Sequence, residues 1–287
     1  MVQLIDSDIR TREVLDWQGL NVFHGRMSSC SQKLRIFLNL KGMDWQGHEM
    51  DLAGGETYTD WFMGINPRGL VPVLVWDGAV HIESNDILAF LEERFPEPCL
   101  IPPDKAEEVE SLLQQEDDLH LDLRTLSFRF VLGRTGTNKT PEQLDQYRDF
   151  PATVEGVKDR EKRGRELEFY ERLAVEGLSD RAVRAAAAKF RVAFDDLERR
   201  LSAAPYFLGD SISVLDIAWF VYASRLHLGG YPFARLHPHV HRWRETFARD
   251  EKFAREISPP PPLRETIARN QAEWARNGTT LADVAGF

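Results

Sequence analysis

The stretch LVPVLVWDGAVHI (residues 70–82) sets an Asp77-Gly78 pair between two β-rich runs. That pair accepts the positive φ angles of a two-residue turn, so the flanking runs are predicted to be adjacent antiparallel strands. The residues upstream must then supply the rest of a sheet. LNVFHG (Leu20 to Gly25) reads as a short apolar strand. From Ser31 to Lys41, Leu34, Phe37, Leu38 and Lys41 recur at helical spacing, Ile36 and Leu40 add a second apolar edge, and Gly42 ends the helix. WQGHEM reads as another strand, and GETYTDWFMGI as a short helix before the turn Asn66-Pro67-Arg68-Gly69. After the hairpin, SNDILAFLEERF reads as an amphipathic helix. The order strand, helix, strand, short helix, strand, strand, helix predicts an α/β layer of roughly 75 residues.

That order resembles a thioredoxin-like unit, placed at residues 19–96 behind an N-terminal extension, 1–18. In PEPCLIPPD, Pro96, Pro98, Pro102 and Pro103 cannot continue a helix and mark a linker, 97–104. Residues 105–257 read as an all-helical domain. AEEVESLLQQEDDLHLDLRTL opens it, the run KDREKRGRELE is taken as a solvated helix face, and DRAVRAAAAKFRVAFDDLERRLSAA is a strong helix. In YFLGDSISVLDIAWF, Ser213 and Asp216 form a capping box. SPPPP then sets off a C-terminal extension, 258–287, whose Leu263, Ile267 and Trp274 are expected to pack back over the helical domain.

Composition narrows the partners. With 287 residues, 43% hydrophobic and 29% charged, the chain can bury a real core in two domains. Thirty-six basic against 46 acidic residues give a net charge of −10, which repels phosphate backbones and anionic lipid surfaces and argues against nucleic acid and membranes as partners. The beginning of the chain, MVQLIDSDIRTREVLDWQG, has neither a basic n-region nor an apolar h-region, and no stretch is apolar enough to span a bilayer. Two cysteines, Cys30 and Cys99, are too few for a disulfide framework, so the expected compartment is the reducing cytoplasm. His237, His239 and His241 in HPHVHRW put only the first and last on one helical face, no carboxylate is expected to pair nearby, and no metal is expected.

The chemistry concentrates at RMSSCSQKLRI. A strand running into a hydroxyl-rich turn and a helix N-terminus offers unpaired amides and the positive end of a dipole, a site for negative charge. Ser28 adds a directed hydrogen bond. A free thiol ionising near 8.5 is about 3% thiolate at pH 7, and lowering its pKa by roughly two units, ~2.7 kcal/mol of differential stabilisation, makes it mostly thiolate. The same cluster also reads simply as an N-cap, since serine is favoured there without any chemistry.

SSCSQKLRI resembles the zeta-class signature of the cytosolic glutathione transferases. NPRGLVPVL is similar to that family's Asn-Pro turn and cis-proline segment, ESNDILAFLEERFPE to its Glu/Gln-Ser motif and third helix, and YFLGDSISVLDIAWF to its C-terminal capping motif. The resemblance implies glutathione as co-substrate, no metal, a small-molecule electrophile as partner, and a homodimer. Carried over residue by residue, it implies that Ser28 hydrogen-bonds the glutathione sulfur and that Val71 offers its backbone to the cysteinyl part. It further implies that Pro72 is cis and that Glu83 and Ser84 hold the ammonium and carboxylate of the γ-glutamyl end. Asp117 or Asp118 would reach the partner subunit's tripeptide. Cys30 is the rival nucleophile, as in relatives that form mixed disulfides. Leu70 and Thr57 stand where relatives carry residues for the glycyl carboxylate, leaving Tyr58 or Lys41 to compensate or the tripeptide loosely held. Phe128, Phe130, Trp219 and Tyr222 are read either as acceptor-pocket or as core residues.

DWFMGINPRGLVPVLVWDG with ESNDILAFLEERFPE, together with a helical insertion around 140 to 180, resembles bacterial β-etherases, in which glutathione displaces an aryloxide from the carbon next to a ketone. The SQK run and the insertion also resemble ganglioside-induced differentiation-associated proteins, which implies a non-catalytic interaction protein. A glutathione-dependent isomerase or dehalogenase on the same scaffold is a third reading.

Overall fold

In the computed structural model of this chain, which describes residues 2–133 and 139–287, the N-terminal residues belong to the sheet. Val2–Gln3 (β1) pairs antiparallel with the last strand of a five-stranded sheet of order β1-β5-β4-β2-β3. The other strands are Leu20–His24 (β2), Gln46–Glu49 (β3), Val73–Trp76 (β4) and Ala79–Ile82 (β5). β2 and β3 are parallel because Ser29–Lys41 (α1) crosses between them, whereas β4 and β5 are antiparallel across the Asp77-Gly78 turn. Both turn residues take positive φ, 48° and 79°. A Cβ on Gly78 would stand 2.2 Å from the Leu15 carbonyl oxygen, so this turn admits no side chain where the extension crosses it. Asp60–Met63 (α2) and Ser84–Arg94 (α3) complete the layer.

The chain then forms Ala106–Asp118 (α4), His120–Ser127 (α5) and a π-helical turn, Phe128–Leu132. Pro141–Asp149 (α6), a small hairpin of Thr153–Val154 (β6) and Val157–Lys158 (β7), and Arg160–Glu176 (α7) follow. Asp180–Ala203 (α8), Val214–Leu228 (α9), Phe233–Leu236 (α10), Pro238–Phe247 (α11), Glu251–Ile257 (α12), Pro261–Asn277 (α13) and Leu281–Ala285 (α14) end the chain.

These elements sort into two compact units, Met1–Phe95 with Gly136–Gly177, and Pro96–Thr135 with Leu178–Phe287. The expected helical domain of 105–257 is therefore interrupted, because the insertion packs on the α/β unit, and the extension of 1–18 is part of that unit too. Leu4, Ile9 and Val14 from the extension and Val154 from the β6–β7 hairpin share one buried cluster with Phe23, Phe62, Val73, Val75, Val80 and Ile82. Asp8 binds the two together: its carboxylate accepts from Thr153 Oγ1 at 2.7 Å, Glu155 N at 2.8 Å and Gly156 N at 3.0 Å. Asp8→Ala is expected to cost about 2 kcal/mol by leaving these donors unpaired, read as a lower urea midpoint and faster hydrogen exchange at Glu155 and Gly156.

In the second unit, α8 buries Val183, Ala186, Ala187, Phe190, Phe194, Leu197 and Leu201, the spacing of one helical face. α9 is buried from Val214 to Leu226, on every face, as befits a central helix. Asp216 reaches back as expected, its Oδ2 accepting from Ser213 N at 2.9 Å and Ser213 Oγ at 3.0 Å. α13 packs within this unit, with Ile267 buried and Trp274 edge-on to Phe130 at 5.3 Å.

Candidate functional site

The serines at the head of α1 have different tasks. Ser31 is buried, and its Oγ accepts from Gly25 N at 3.2 Å, closing the turn between β2 and α1. Ser29 is buried, while Ser28 and Cys30 are half-buried. Ser28 is the N-cap, with extended backbone (φ −71°, ψ 123°), and its Oγ accepts from Ser31 N at 3.3 Å. An N-cap serine uses a lone pair, so its O–H remains a donor, and capping and thiolate binding are compatible in one side chain. The sequence left Arg35 unremarked, yet its guanidinium donates to the Gly25 carbonyl at 3.1 Å and the Arg26 carbonyl at 3.0 Å. It places a buried positive charge under the turn, which adds to the preference for an anion there.

Strand register brings the other expected residues to the same end of the sheet. β2 and β4 pair from Leu20↔Trp76 to Phe23↔Val73, and two more steps put Val71 level with Gly25. β4 and β5 pair through Leu74↔His81, and two further steps put Glu83 level with Pro72. Ser28, Val71, Pro72, Glu83 and Ser84 thus gather where three neighbouring strands end. The Val71–Pro72 peptide is cis. Ser84 is the first residue of α3, and Glu83 before it takes φ 68°, a strained conformation of the kind concentrated at ligand sites.

Glu83 is already paired. One of its carboxylate oxygens accepts from Arg68, and Oε2 accepts from Lys162 Nζ at 2.8 Å. Arg68 is also paired with Asp159. Burial pushes the Glu83 carboxyl up, and Lys162 and Arg68 more than reverse this, so it titrates below the usual carboxylate range. The run KDREKRGRELE is therefore solvated only in part. Asp159 holds Arg68, Lys162 holds Glu83, and the buried Arg163 donates to the carbonyls of Pro67 and Tyr147 with its guanidinium 4.0 Å from the Tyr147 ring centroid. Arg163, Glu166 and Tyr170 are all buried and lie at i, i+3 and i+7. That periodicity was the signal available in the sequence, masked by the charge of the residues that carry it.

Both residues expected to compensate for Leu70 and Thr57 are engaged within the fold. Tyr58 is buried, stacked on Tyr147 at 4.5 Å, with its hydroxyl donating to Glu166 Oε1 at 3.3 Å. Lys41 is at the far end of α1, twelve residues or about 18 Å from Ser29, where Nζ meets Glu92 at 2.7 Å and the Phe95 carbonyl at 2.6 Å. Phe130, Trp219 and Tyr222 are core residues of the second unit. His237 pairs with Asp195 at 3.0 Å and His239 with Glu198 at 2.7 Å, carboxylates supplied by α8.

A family profile described as "Glutathione S-transferase, N-terminal domain" matches residues 27–94, and one described as "Glutathione S-transferase, C-terminal domain" matches residues 180–246. The chain belongs to the glutathione S-transferase superfamily. Between the two matches lies the insertion. Among curated transferase relatives, "Glutathione S-transferase 1" of Dianthus caryophyllus is 42% identical over 87 residues, which are 30% of this chain and 39% of that one. "Glutathione S-transferase zeta class" of Euphorbia esula is 47% identical over 77 residues, 27% of this chain and 34% of that one. A maleylacetoacetate isomerase of Pseudomonas aeruginosa is 41% identical over 80 residues, 27% of this chain and 38% of that one. The chain thus spans little more than a third of the length of these relatives. Among solved structures, the beta-etherase LigF of Sphingobium sp. strain SYK-6 superposes with a TM-score of 0.69 at 24% identity, over 84% of this chain and 99% of LigF. A zeta-class maleyl pyruvate isomerase superposes at 0.58 with 22% identity, over 83% of this chain and 98% of the other. Both share the transferase fold.

Proposed function

We propose that this chain is a glutathione transferase in which Ser28 holds the glutathione sulfur as a thiolate for attack on a hydrophobic or aromatic electrophile. The observation that carries this reading is the position of Ser28: it caps α1 with an accepting lone pair, keeps its O–H to donate, and lies in the turn whose Gly25 and Arg26 carbonyls hold the buried guanidinium of Arg35. Val71 offers its backbone to the cysteinyl part, Pro72 shapes that edge, and Glu83 and Ser84 hold the γ-glutamyl end. Ser28 donates to the sulfur; the thiol proton leaves to solvent and the sulfur lone pair forms the new C–S bond. In β-aryl ether cleavage, the finer reading, the C–O bond breaks with its electron pair on the aryloxide, which departs without needing a strong acid. The likeness of fold to the beta-etherase LigF supports that choice. The chain acts in this reading as a cytoplasmic homodimer without a metal. Among the described residues no helix is long and apolar enough to cross a membrane.

A second reading, a glutathione-dependent isomerase on the same thiolate site, is supported by the relatives named as maleylacetoacetate isomerases. Calorimetric titration with glutathione, followed by assays with a generic electrophile, a β-aryl ether ketone and a cis-dienoic diacid, separates the possibilities. Glutathione binding and release of phenol from the ether are expected. Isomerisation of the diacid without ether cleavage would favour the second reading, and no binding at millimolar glutathione would leave a non-catalytic interaction protein.

A further inference from the structure

Two acids and two bases meet at the strand ends: Glu83 and Asp159, Arg68 and Lys162. They differ in freedom. Arg68 is 9% exposed and is fixed from several sides: by Asp159, by Asn66, whose Oδ1 accepts from Arg68 N at 3.0 Å, and by Tyr147, whose hydroxyl donates to the Arg68 carbonyl at 3.0 Å. Lys162 is 43% exposed, and its long flexible stem comes from the first turn of α7. The resting cluster is neutral, each base matched to an acid.

An α-amino acid end brings one ammonium and one carboxylate to such a cluster. If the ammonium takes Glu83, a third cation would crowd one carboxylate unless a resident base withdraws. Arg68 is fixed and Lys162 is not. A lysine that swings from Glu83 Oε2 to the incoming carboxylate leaves the net charge unchanged and adds one ion pair, and Ser84 at the head of α3 contributes its amide and hydroxyl on the same side. We propose that Lys162, carried by the insertion, is a specificity-determining residue of the tripeptide site, exchanging Glu83 for the α-carboxylate of the γ-glutamyl group. This rests on the glutathione-binding reading above and assigns the insertion a part in it.

The test is calorimetry on the whole protein and on Lys162→Ala, Lys162→Gln and Lys162→Arg, with three peptides: glutathione, 4-aminobutyryl-cysteinyl-glycine, which lacks the carboxylate, and glutaryl-cysteinyl-glycine, which lacks the ammonium. Glutathione is expected to bind Lys162→Ala and Lys162→Gln about tenfold more weakly than wild type, with Lys162→Arg largely restored. The peptide without the carboxylate is expected to bind both neutral variants at least as tightly as wild type, because Lys162 no longer competes for Glu83, while the peptide without the ammonium keeps its dependence on Lys162. Equal weakening of all three peptides, or none, overturns the proposal and leaves Lys162 as a structural ion-pair partner. Wild-type protein that binds no glutathione overturns the functional reading itself, a result separable from the first because it appears before any substitution is made.

Discussion

Ser28→Ala is expected to lower kcat/KM for glutathione conjugation about 100-fold, the effect of removing one preorganised donor from an anion that reacts as such. The bound thiol should titrate roughly two units higher, read from the ultraviolet absorbance of the thiolate against pH. Alanine also removes the N-cap, whose Oγ accepts from Ser31 N, at a cost of about 1 kcal/mol. Ser28→Asp separates the two effects. Aspartate is a favoured cap and suits a helix N-terminus, so the melting temperature should hold, yet its charge beside the sulfur raises the thiol pKa and activity should fall at least as far as in the alanine variant. Ser28→Thr keeps cap and donor and should retain most activity. Cys30→Ala should leave conjugation within a few-fold of wild type. If instead Cys30→Ala abolishes activity and Ser28→Ala does not, the chemistry belongs to the thiol.

The largest loss of stability is expected at Asp216, in the second unit. This fully buried carboxylate accepts from Ser213 N and Oγ, from Phe207 N at 3.3 Å and from Trp243 Nε1 at 3.1 Å, so it ties the loop before α9 and the helix α11 to α9. Asp216→Ala leaves four buried donors without an acceptor and should cost about 3–5 kcal/mol, measured by denaturant unfolding. Asp216→Asn keeps the shape but turns an amide toward a Ser213 amide, and should cost about 2–3 kcal/mol. Burial pushes the Asp216 carboxyl up to about 6, against the pull of its donors. A folded-state pKa above the unfolded value means that the native state takes up the proton first. Wild type should therefore gain stability relative to Asp216→Asn as the pH falls from about 6 toward the unfolded carboxylate value, and lose that gain as the pH rises again.

Local rules made much of this protein legible. The Asp77-Gly78 turn, the N-cap at Ser28, the stop at Gly42 and the Ser213–Asp216 box each depend on residues within a few positions of one another, and each is found where the residues put it. The grouping of Ser28, Val71 and Glu83 was implied by the family resemblance alone, and it is the strand register that brings them to one end of the sheet. What escaped are contacts between segments remote in sequence. Asp8 reaches Thr153 across 145 positions, and Arg68 reaches Asp159 across 91. A charge seen alone reads as solvated, and nothing within α7 says that Arg163 finds two carbonyls of other segments. The same blindness made Tyr58 and Lys41 read as available to a ligand, since their partners Tyr147, Glu166 and Glu92 are named only by the fold.

The first unit is assembled from two stretches of chain separated by forty residues that belong to the second. A ribosome emits them in order, so the sheet and its Arg68–Glu83 pair can form before Asp159 and Lys162 exist, and the nascent protein must thread back before the four-charge cluster is complete. Completion of that cluster is thereby timed to the emergence of α7, later than the appearance of any strand that supports it.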